Sequence, residues 1–281
     1  MKNKIDIICP LYNASSYIEK LDKSLKMQKD VNINEIIYIL TESSDNTEEI
    51  LKKNNIKYKK IKKSSFSHSL VREKEGLESN SDILVFVTQD IEINDNKWLF
   101  NLTKDIDDNI VASYSRQISK YNNIEKYTRE KNYPEDSFIV SKEDIDKLGL
   151  KTFFFSDAAS CIKTSVFKEL NGYDNKDLPI SEDMYIAYKI IMSGKKIKYC
   201  ADSVVNHSHN FTLKELYNRY KLTGIFFKEN SYIDKYGTTG SGASLAKYIL
   251  KRAFQEKNIK VILRWLPDMT ARYLGMKAGE R

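Results

Sequence analysis

The chain has 281 residues, 46 Lys and Arg against 39 Asp and Glu, a formal net charge of +7, and 41% hydrophobic and 30% charged residues. This composition excludes a disordered or collagen-like chain, and the length suits one large domain or a domain with an appendage. The longest apolar run, Ile83–Val87, falls far short of the roughly 20 residues a membrane-spanning helix needs.

No signal-peptide core fits the N-terminus. Three widely spaced cysteines (Cys9, Cys161 and Cys200) exclude a disulfide framework and a four-cysteine zinc site, and suit a reducing cytoplasm.

The chain then alternates between two hydrophobic periods. Ile5–Cys9 reads as a strand ended by Pro10, after which Tyr17, Ile18, Leu21, Leu25 and Met27 recur at near-helical spacing. Glu35–Leu40 predicts a second strand. Ser44–Thr47 offers helix N-cap residue types before Ile50 and Leu51, and Ile56–Ile61 predicts a lysine-rich third strand. A helix is expected over 68–78. Asp82–Thr88 is the most apolar segment, the kind buried on both faces of a parallel sheet. A helix at 96–107 and a strand at 110–115 follow.

Such alternation implies βαβ units and a doubly wound, mostly parallel sheet. Ligands of these sheets bind beyond the carboxyl ends of the strands, which points to the residues after 9, 40, 62, 88 and 115. Residues 116–152 read as polar and irregular. Helices are expected near 163–170 and 181–193, with a short strand at 196–200 before Val204–His207. From Thr212 the chain reads as helical, interrupted by Gly237–Gly242 and by Pro267. The expected division is an α/β domain over 1–211 and a helical extension over 212–281. The extension holds the whole basic excess, with 14 Lys and Arg against 6 Asp and Glu, whereas the first 211 residues carry 32 against 33.

Several polar groups fall at the expected strand ends, and each has two readings. Asp90 directly follows the apolar strand, either as a ligand for a hard cation such as Mg²⁺ or Mn²⁺ or as a turn former. Glu182 and Asp183 open a helix, where acidic residues complement the dipole, or where one could act as a general base. His207 and His209 share a face if their segment is extended, as metal ligands or as locally satisfied histidines. His68 and Arg72 lie four apart on a helix, as a phosphate-binding pair or as a solvated face. Arg116 and Gln117 follow the fifth strand with the same choice.

In order, Cys9-Pro10-Leu11-Tyr12-Asn13 and Ser43-Ser44-Asp45-Asn46-Thr47 resemble the opening of family 2 glycosyltransferases. Further pieces resemble the rhamnosyltransferase branch of that family. These are Phe66-x-His68 with Arg72, Thr88-Gln89-Asp90, Tyr114-x-Arg116-Gln117, Asn132-Tyr133-Pro134, Phe154-Phe155-Ser156-Asp157, Glu182-Asp183-Met184 and His207-Ser208-His209-Asn210. The resemblance covers residues 4–230. It implies a GT-A fold and an inverting transfer of a sugar, dTDP-L-rhamnose being the donor the branch suggests, to an acceptor hydroxyl in surface glycan synthesis. UDP-hexose and UDP-N-acetylhexosamine are the alternative donors.

Residue by residue, the resemblance implies that Pro10, Tyr12 and Asn13 border the nucleotide with Asp45 nearby. Asp90 would hold a divalent metal with His207, and His209 beside it. Asp183, with Glu182, would supply the base. His68, Arg72, Gln89 and Arg116 would face the diphosphate or donor sugar, and Asp157 a sugar hydroxyl. Two positions depart from the family pattern. Glu42 stands near the acidic residue that usually ends the second strand, and Thr88 replaces the first Asp of the usual D-x-D.

A nucleotidyltransferase is disfavoured because no glycine precedes Gly76, so the first strand lacks a glycine-rich phosphate loop. Nucleic-acid binding is the rival from another class. Basic charge confined to terminal helices without a nucleic-acid motif fits an anionic membrane surface better. Ile259, Ile262, Leu263, Leu266 and Met269 recur at helical spacing among Lys257, Lys260 and Arg264, a face that either docks on the catalytic domain or meets such a membrane. The expected partners are therefore a nucleotide sugar, a glycan or lipid-linked acceptor and a membrane surface, with no nucleic acid. The expected place is the cytoplasm or the inner membrane face.

Overall fold

The computed structural model describes residues 2–237 and 239–281. β1 (Lys4–Leu11) passes through α1 (Ile18–Lys26) to β2 (Asn32–Thr41), and α2 (Thr47–Lys53) leads to β3 (Tyr58–Ile61). Helix α1 forms because Ile18, Leu21 and Leu25 make one buried stripe. α3 (His68–Glu78) starts at Ser67, whose Oγ accepts from the Leu70 N–H. It leads to β4 (Ile83–Val87), in which every residue is buried. α4 (Trp98–Thr103) and β5 (Ile110–Ile118) follow.

Residues 116–152 are more ordered than their polar composition predicts. β5 runs on to Ile118, followed by α5 (Ile124–Asn132), β6 (Phe138–Val140) and α6 (Ile145–Leu148). Helix α5 buries only Ile124, Glu125 and Tyr127, too few apolar positions to set a readable period. β7 (Ala159–Lys163) is a strand where the pattern shows none, because its buried Ser160 and terminal Lys163 break the apolar run. α7 (Thr164–Glu169) and α8 (Glu182–Met192) lie where helices are expected. β8 (Lys196–Asn206) is one long strand, longer than the short one predicted, and ends one residue before His207.

The eight strands form one sheet in the order β3-β2-β1-β4-β7-β5-β8-β6. β7 pairs antiparallel with β4 and β5, and β6 pairs antiparallel with β8, while the remaining pairings are parallel. Alternate strand residues feed two cores. One side of the sheet packs α1, α2 and α4, and the other packs α3, α7 and α8. The carboxyl ends of β1, β2, β4, β5 and β8 therefore share one edge.

The C-terminal region consists of α9 (Leu213–Glu229), α10 (Ser231–Asp234), α11 (Thr239–Gln255) and α12 (Ile259–Glu280). Thr238, in the predicted glycine-rich break, lies outside the described residues, and Gly240 and Gly242 fall inside α11. Pro267 does not interrupt the chain as expected: α12 continues through it. Anchors on either side hold the helix, since Trp265 Nε1 donates to the Ala246 carbonyl at 2.9 Å and Arg272 donates to Tyr220 Oη at 2.7 Å and to Glu125 at 3.3 Å.

α9 and α12 meet backbone to backbone. A Cβ on Gly279 would lie 2.0 Å from the Lys221 carbonyl oxygen, and one on Gly275 would lie 2.3 Å from that of Tyr217. Alanine normally favours a helix over glycine by ~1 kcal/mol, but here the added atom meets main chain that cannot turn aside. Gly279→Ala is expected to destabilise the protein by about 1–3 kcal/mol, the usual cost of overpacking. Denaturant midpoints of the two proteins check this.

Candidate active site

A cleft of about 900 Å³ opens at the carboxyl edge of the sheet. It is lined by Pro10, Tyr12, His68, Arg72, Gln89, Asp90, Asp157, Glu182, Asp183, His207 and His209, eleven of the residues expected at the site. A second cavity of about 530 Å³ lies at the opposite edge, near Asn80, Asp107 and Lys168, and holds none of them.

Asp90, His207 and His209 bring their ligand atoms within 4.8 Å of one another. Asp90 Oδ2 lies 3.4 Å from His207 Nε2 and 3.8 Å from His209 Nδ1. The tautomer of His207 follows from its neighbours. Gln117 Oε1 accepts from Arg129 Nη1 and lies 2.8 Å from His207 Nδ1, while Gln117 Nε2 donates to Ser156 Oγ at 2.8 Å. An oxygen acceptor there assigns the proton to Nδ1 and leaves the Nε2 lone pair facing Asp90.

Burial lowers the proton affinity of both imidazoles, that of His209 to about 4, aided by His207. They are therefore neutral at neutral pH, as metal ligation requires. Burial opposes ionisation of Asp90, but in the acid range where it would titrate the imidazoles are themselves protonated and, His207 first, outweigh burial and hold the carboxyl below the usual range. Lone pairs facing one another across such distances are unfavourable unless a cation lies between them. The donor set, one carboxylate and two imidazoles, fits a divalent metal.

Arg72 is 1% exposed. Its Nη1 donates to Glu182 Oε1 at 2.7 Å and to the His68 carbonyl at 3.3 Å, and its Nη2 reaches the Asp157 carbonyl at 3.4 Å. Glu182 is therefore engaged in a buried ion pair, and Asp183 remains as the acidic group facing the cleft. Ser181 precedes them at φ 62°, a left-handed conformation that a non-glycine residue adopts at a cost, and which turns the start of α8 into the cleft. Burial, then Glu182, then Asp157 raise the Asp183 carboxyl well above the ordinary range, as suits a group that takes up a proton. Burial, then Arg72, lower His68 to about 4.

The remaining expected residues lie elsewhere or act indirectly. Arg116 pairs with Glu135 at 3.2 Å and does not line the cleft, because β5 extends past it. Successive strand residues face opposite ways, so the neighbouring Gln117, 1% exposed, is the one turned inward. Asn13 sits at φ 48° and accepts from the Ser44 N–H at 2.9 Å, which ties together the loops after β1 and β2. Asp45 accepts from Ser15 N–H at 3.0 Å and from Thr47 Oγ1 at 2.5 Å. Burial alone would raise its carboxyl, but these bonds hold it down at about 2.

Glu42 is exposed and accepts from Lys63 N–H at 3.2 Å, while Thr41 lines the cleft beside it. Asp157 lines the cleft, but its two oxygens accept from Ser160 Oγ at 2.8 Å and Tyr173 Oη at 2.7 Å. Gln89 pairs both ends of its amide with the Tyr12 backbone, at 2.7 and 2.9 Å. Lys63 Nζ donates to Tyr12 Oη at 3.0 Å at the mouth.

Four cations of the cleft were not legible in the sequence: Lys63, Arg129, Arg219 and Arg272. Arg129 comes from α5, the helix without a period. Arg219 comes from α9: its guanidinium lies 5.7 Å from the Phe211 ring, which is 4.8 Å from His209, itself 4.6 Å from His207. Among the described residues, the buried side-chain polar atoms without a hydrogen-bond partner are Thr41 Oγ1, Arg72 Nε, Thr88 Oγ1 and Arg129 Nε, and all four residues line this cleft. Buried polar groups are normally satisfied, so their concentration here marks a cavity built for a polar ligand.

Removing Glu182 would leave the Arg72 cation buried and unpaired. Glu182→Ala is expected to cost about 3–5 kcal/mol of stability, read as a lowered urea midpoint. A loss below about 1 kcal/mol, the range of a surface pair, would contradict the importance of this contact.

A family model described as glycosyl transferase family 2 matches residues 6–170. The chain is 34% identical over 285 residues to the O-antigen chain rhamnosyltransferase RfbN of Salmonella typhimurium, covering 99% of this chain and 90% of that one. It is 33% identical to the O-antigen chain rhamnosyltransferase WbaN of Salmonella anatum, covering 98% and 88%. Among solved structures, a mannosyltransferase of Pyrobaculum calidifontis in complex with GDP-Man and Mn²⁺ superposes with a TM-score of 0.65 at 13% identity, covering 99% and 87% of the two chains. The glucosyl-3-phosphoglycerate synthase of Mycobacterium tuberculosis gives 0.54 at 13% identity, covering 80% and 79%. These similarities agree with the GT-A type sheet and the cleft at its carboxyl edge: the chain belongs to family 2 of the glycosyltransferases and is an enzyme of that class.

Proposed function

We propose that the enzyme transfers L-rhamnose from dTDP-L-rhamnose, with inversion, to a hydroxyl of a lipid-linked glycan during surface polysaccharide assembly. It would work in the cytoplasm at the inner face of the membrane. The observation that carries the reading is one cleft holding a metal-ready carboxylate–imidazole set, buried guanidinium groups and a carboxyl of raised proton affinity. Similarity to two O-antigen rhamnosyltransferases over most of their length supports the choice of sugar. No helix of the described residues is long and apolar enough to cross a membrane, which agrees with a peripheral enzyme.

In this reading Asp90, His207 and His209 hold Mg²⁺ or Mn²⁺, whose charge would stabilise the departing diphosphate. Gln117 keeps the His207 lone pair turned toward that position. Arg72 and Arg219 add positive potential to a site where charge develops on leaving oxygens. Tyr12 and Lys63 border the nucleotide at the mouth. Asp183 takes the proton of the acceptor hydroxyl as it attacks the anomeric carbon from the face opposite the diphosphate.

Asp183→Asn is expected to lower transfer by ~10²–10⁴-fold while donor binding persists, because the residue moves a proton and does not anchor the donor. More than about a tenth of the wild-type rate would remove Asp183 from the role. The base must be ionised to act, and its carboxyl is raised. Activity should therefore fall as pH drops through a value above the ordinary Asp range of about 4.

A donor screen by calorimetry with Mn²⁺ tests the substrate. dTDP-L-rhamnose should bind in preference to UDP-glucose and UDP-N-acetylglucosamine, and Asp90→Ala should abolish the dependence of binding on Mn²⁺. Preference for a UDP-sugar would overturn the donor assignment, and full activity in EDTA would overturn the metal assignment.

A further inference from the structure

Helix α12 is inverted relative to an ordinary surface helix. Its buried face is made of Val261, Asp268, Arg272, Gly275 and Gly279. Within the protein Arg272 donates to Asp268 at 2.5 Å, to Tyr220 Oη at 2.7 Å and to Glu125 at 3.3 Å. The outer face carries Ile259, Leu263, Leu266, Tyr273 and Leu274, which are 68%, 74%, 63%, 62% and 51% exposed. At about 100° per residue these five fall within roughly 60° of a single line along the helix. Of the other apolar residues, Ile262 and Met269 do dock, against a cluster formed by Ile124, Tyr127, Ile249, Ala253 and Val261. The outer stripe touches no part of that core. Phe254, just before the turn into α12, is 60% exposed as well. A helix that turns polar groups and glycines inward and leucines outward has the pattern of one whose outer face meets an apolar medium.

The charges of α11 and α12 identify that medium. Lys247, Lys251, Lys257, Lys260 and Lys277 are exposed. Residues 239–281 carry nine Lys and Arg against three Asp and Glu. Of those acids, Asp268 is buried against Arg272, Glu256 pairs with Lys126 and Arg252, and Glu280 pairs with Lys277, which leaves Lys257 and Lys260 as the uncompensated lysines nearest the stripe. Two copies joined through this face would bring the same lysines together, whereas anionic headgroups would neutralise them.

We propose that the outer face of α12 is a membrane-contact surface that seats the helix in the interface of an anionic bilayer. The purpose of such a contact rests on the reading of a lipid-linked acceptor; its physical basis does not. Arg272 and Tyr220 also line the catalytic cleft. A helix seated in the interface therefore places one wall of the cleft at the bilayer surface, where a lipid-linked hydroxyl would arrive.

The test is cosedimentation of the full chain with phosphatidylcholine vesicles and with vesicles that include phosphatidylglycerol, at low and high salt. Truncation is unsuitable, since it would remove Arg272 from the cleft and the packing partner of α9. The wild type should pellet with anionic vesicles and be released by salt. Leu263→Glu/Leu266→Glu should weaken partitioning by about tenfold or more, because two charges replace apolar contacts in the interface. Leu266→Trp should strengthen it several-fold, since tryptophan favours the interface.

Both variants alter exposed positions, so unchanged thermal midpoints and donor binding are expected. Undiminished sedimentation of the double variant, or equal salt-insensitive binding of the wild type to neutral and anionic vesicles, overturns the proposal. So does a wild-type dimer in light scattering that the double variant splits, which would make the face a contact between copies. Rhamnosyl transfer without vesicle binding sinks the surface alone. Vesicle binding without transfer leaves the surface standing and sinks the substrate reading.

Discussion

The site is organised around one buried ion pair. Arg72 sits inside the protein with Glu182 at 2.7 Å, and the two come from α3 and α8, on elements separated by most of the catalytic sequence. A guanidinium cannot be buried without a partner at tolerable cost, so the start of α8 must lie where Glu182 can reach it. That requirement places the left-handed Ser181 and the adjoining Asp183 at the cleft. The same guanidinium binds the Asp157 carbonyl, and Asp157 is tied in turn to Tyr173 and Ser160. The floor of the cleft is thus one connected polar network, and the position of Asp183 is a consequence of it.

The carboxyls of Asp90 and Asp183 are displaced in opposite directions. Imidazoles that are protonated in the acid range outweigh burial at Asp90 and lower its carboxyl, whereas burial and adjacent carboxylates raise Asp183. Carboxylates driven apart in this way are suited to different tasks, one to holding positive charge and the other to accepting a proton. Gln117 and Arg129 fix the tautomer of His207 from behind. The arrangement relies on oriented lone pairs and unpaired polar atoms held rigid before a ligand arrives, which is where electrostatic preorganisation acts most strongly.

The terminal helices contribute to both sides of this arrangement. α9 carries Arg219 and α12 carries Arg272 to the cleft wall, and glycines on both helices allow the close approach that brings them there. The buried Arg272–Asp268–Glu125 cluster ties α12 to α5, the helix that supplies Arg129. With its inner face occupied by these polar contacts, α12 has only its outer face left for its leucines. The inward chemistry and the outward hydrophobicity are therefore two results of one packing choice.

Hydrophobic period and apolar runs alone were sufficient for β1, β2, β4, β5 and α8, because each buries its apolar residues in the two cores beside the sheet. They also located Asp90, since a strand buried on both faces must end where polar residues begin. The ordered motifs led to His207, His209, Arg72 and Asp183, all of which the structure gathers into one cleft. What depended on tertiary structure was the direction in which side chains face and the partners they find. Arg116 and Gln117 exchange places because β5 extends further than its apolar residues indicate. Asn13, Glu42 and Asp45 are spent on neighbouring loops and backbone amides. β7 exists only because β4 and β5 flank it, and α5, with Arg129, is held by packing that its own sequence does not display. Local periodicity records which residues must be buried. The pairing of strands and the satisfaction of buried charge are long-range conditions, and only the folded chain decided how they were met.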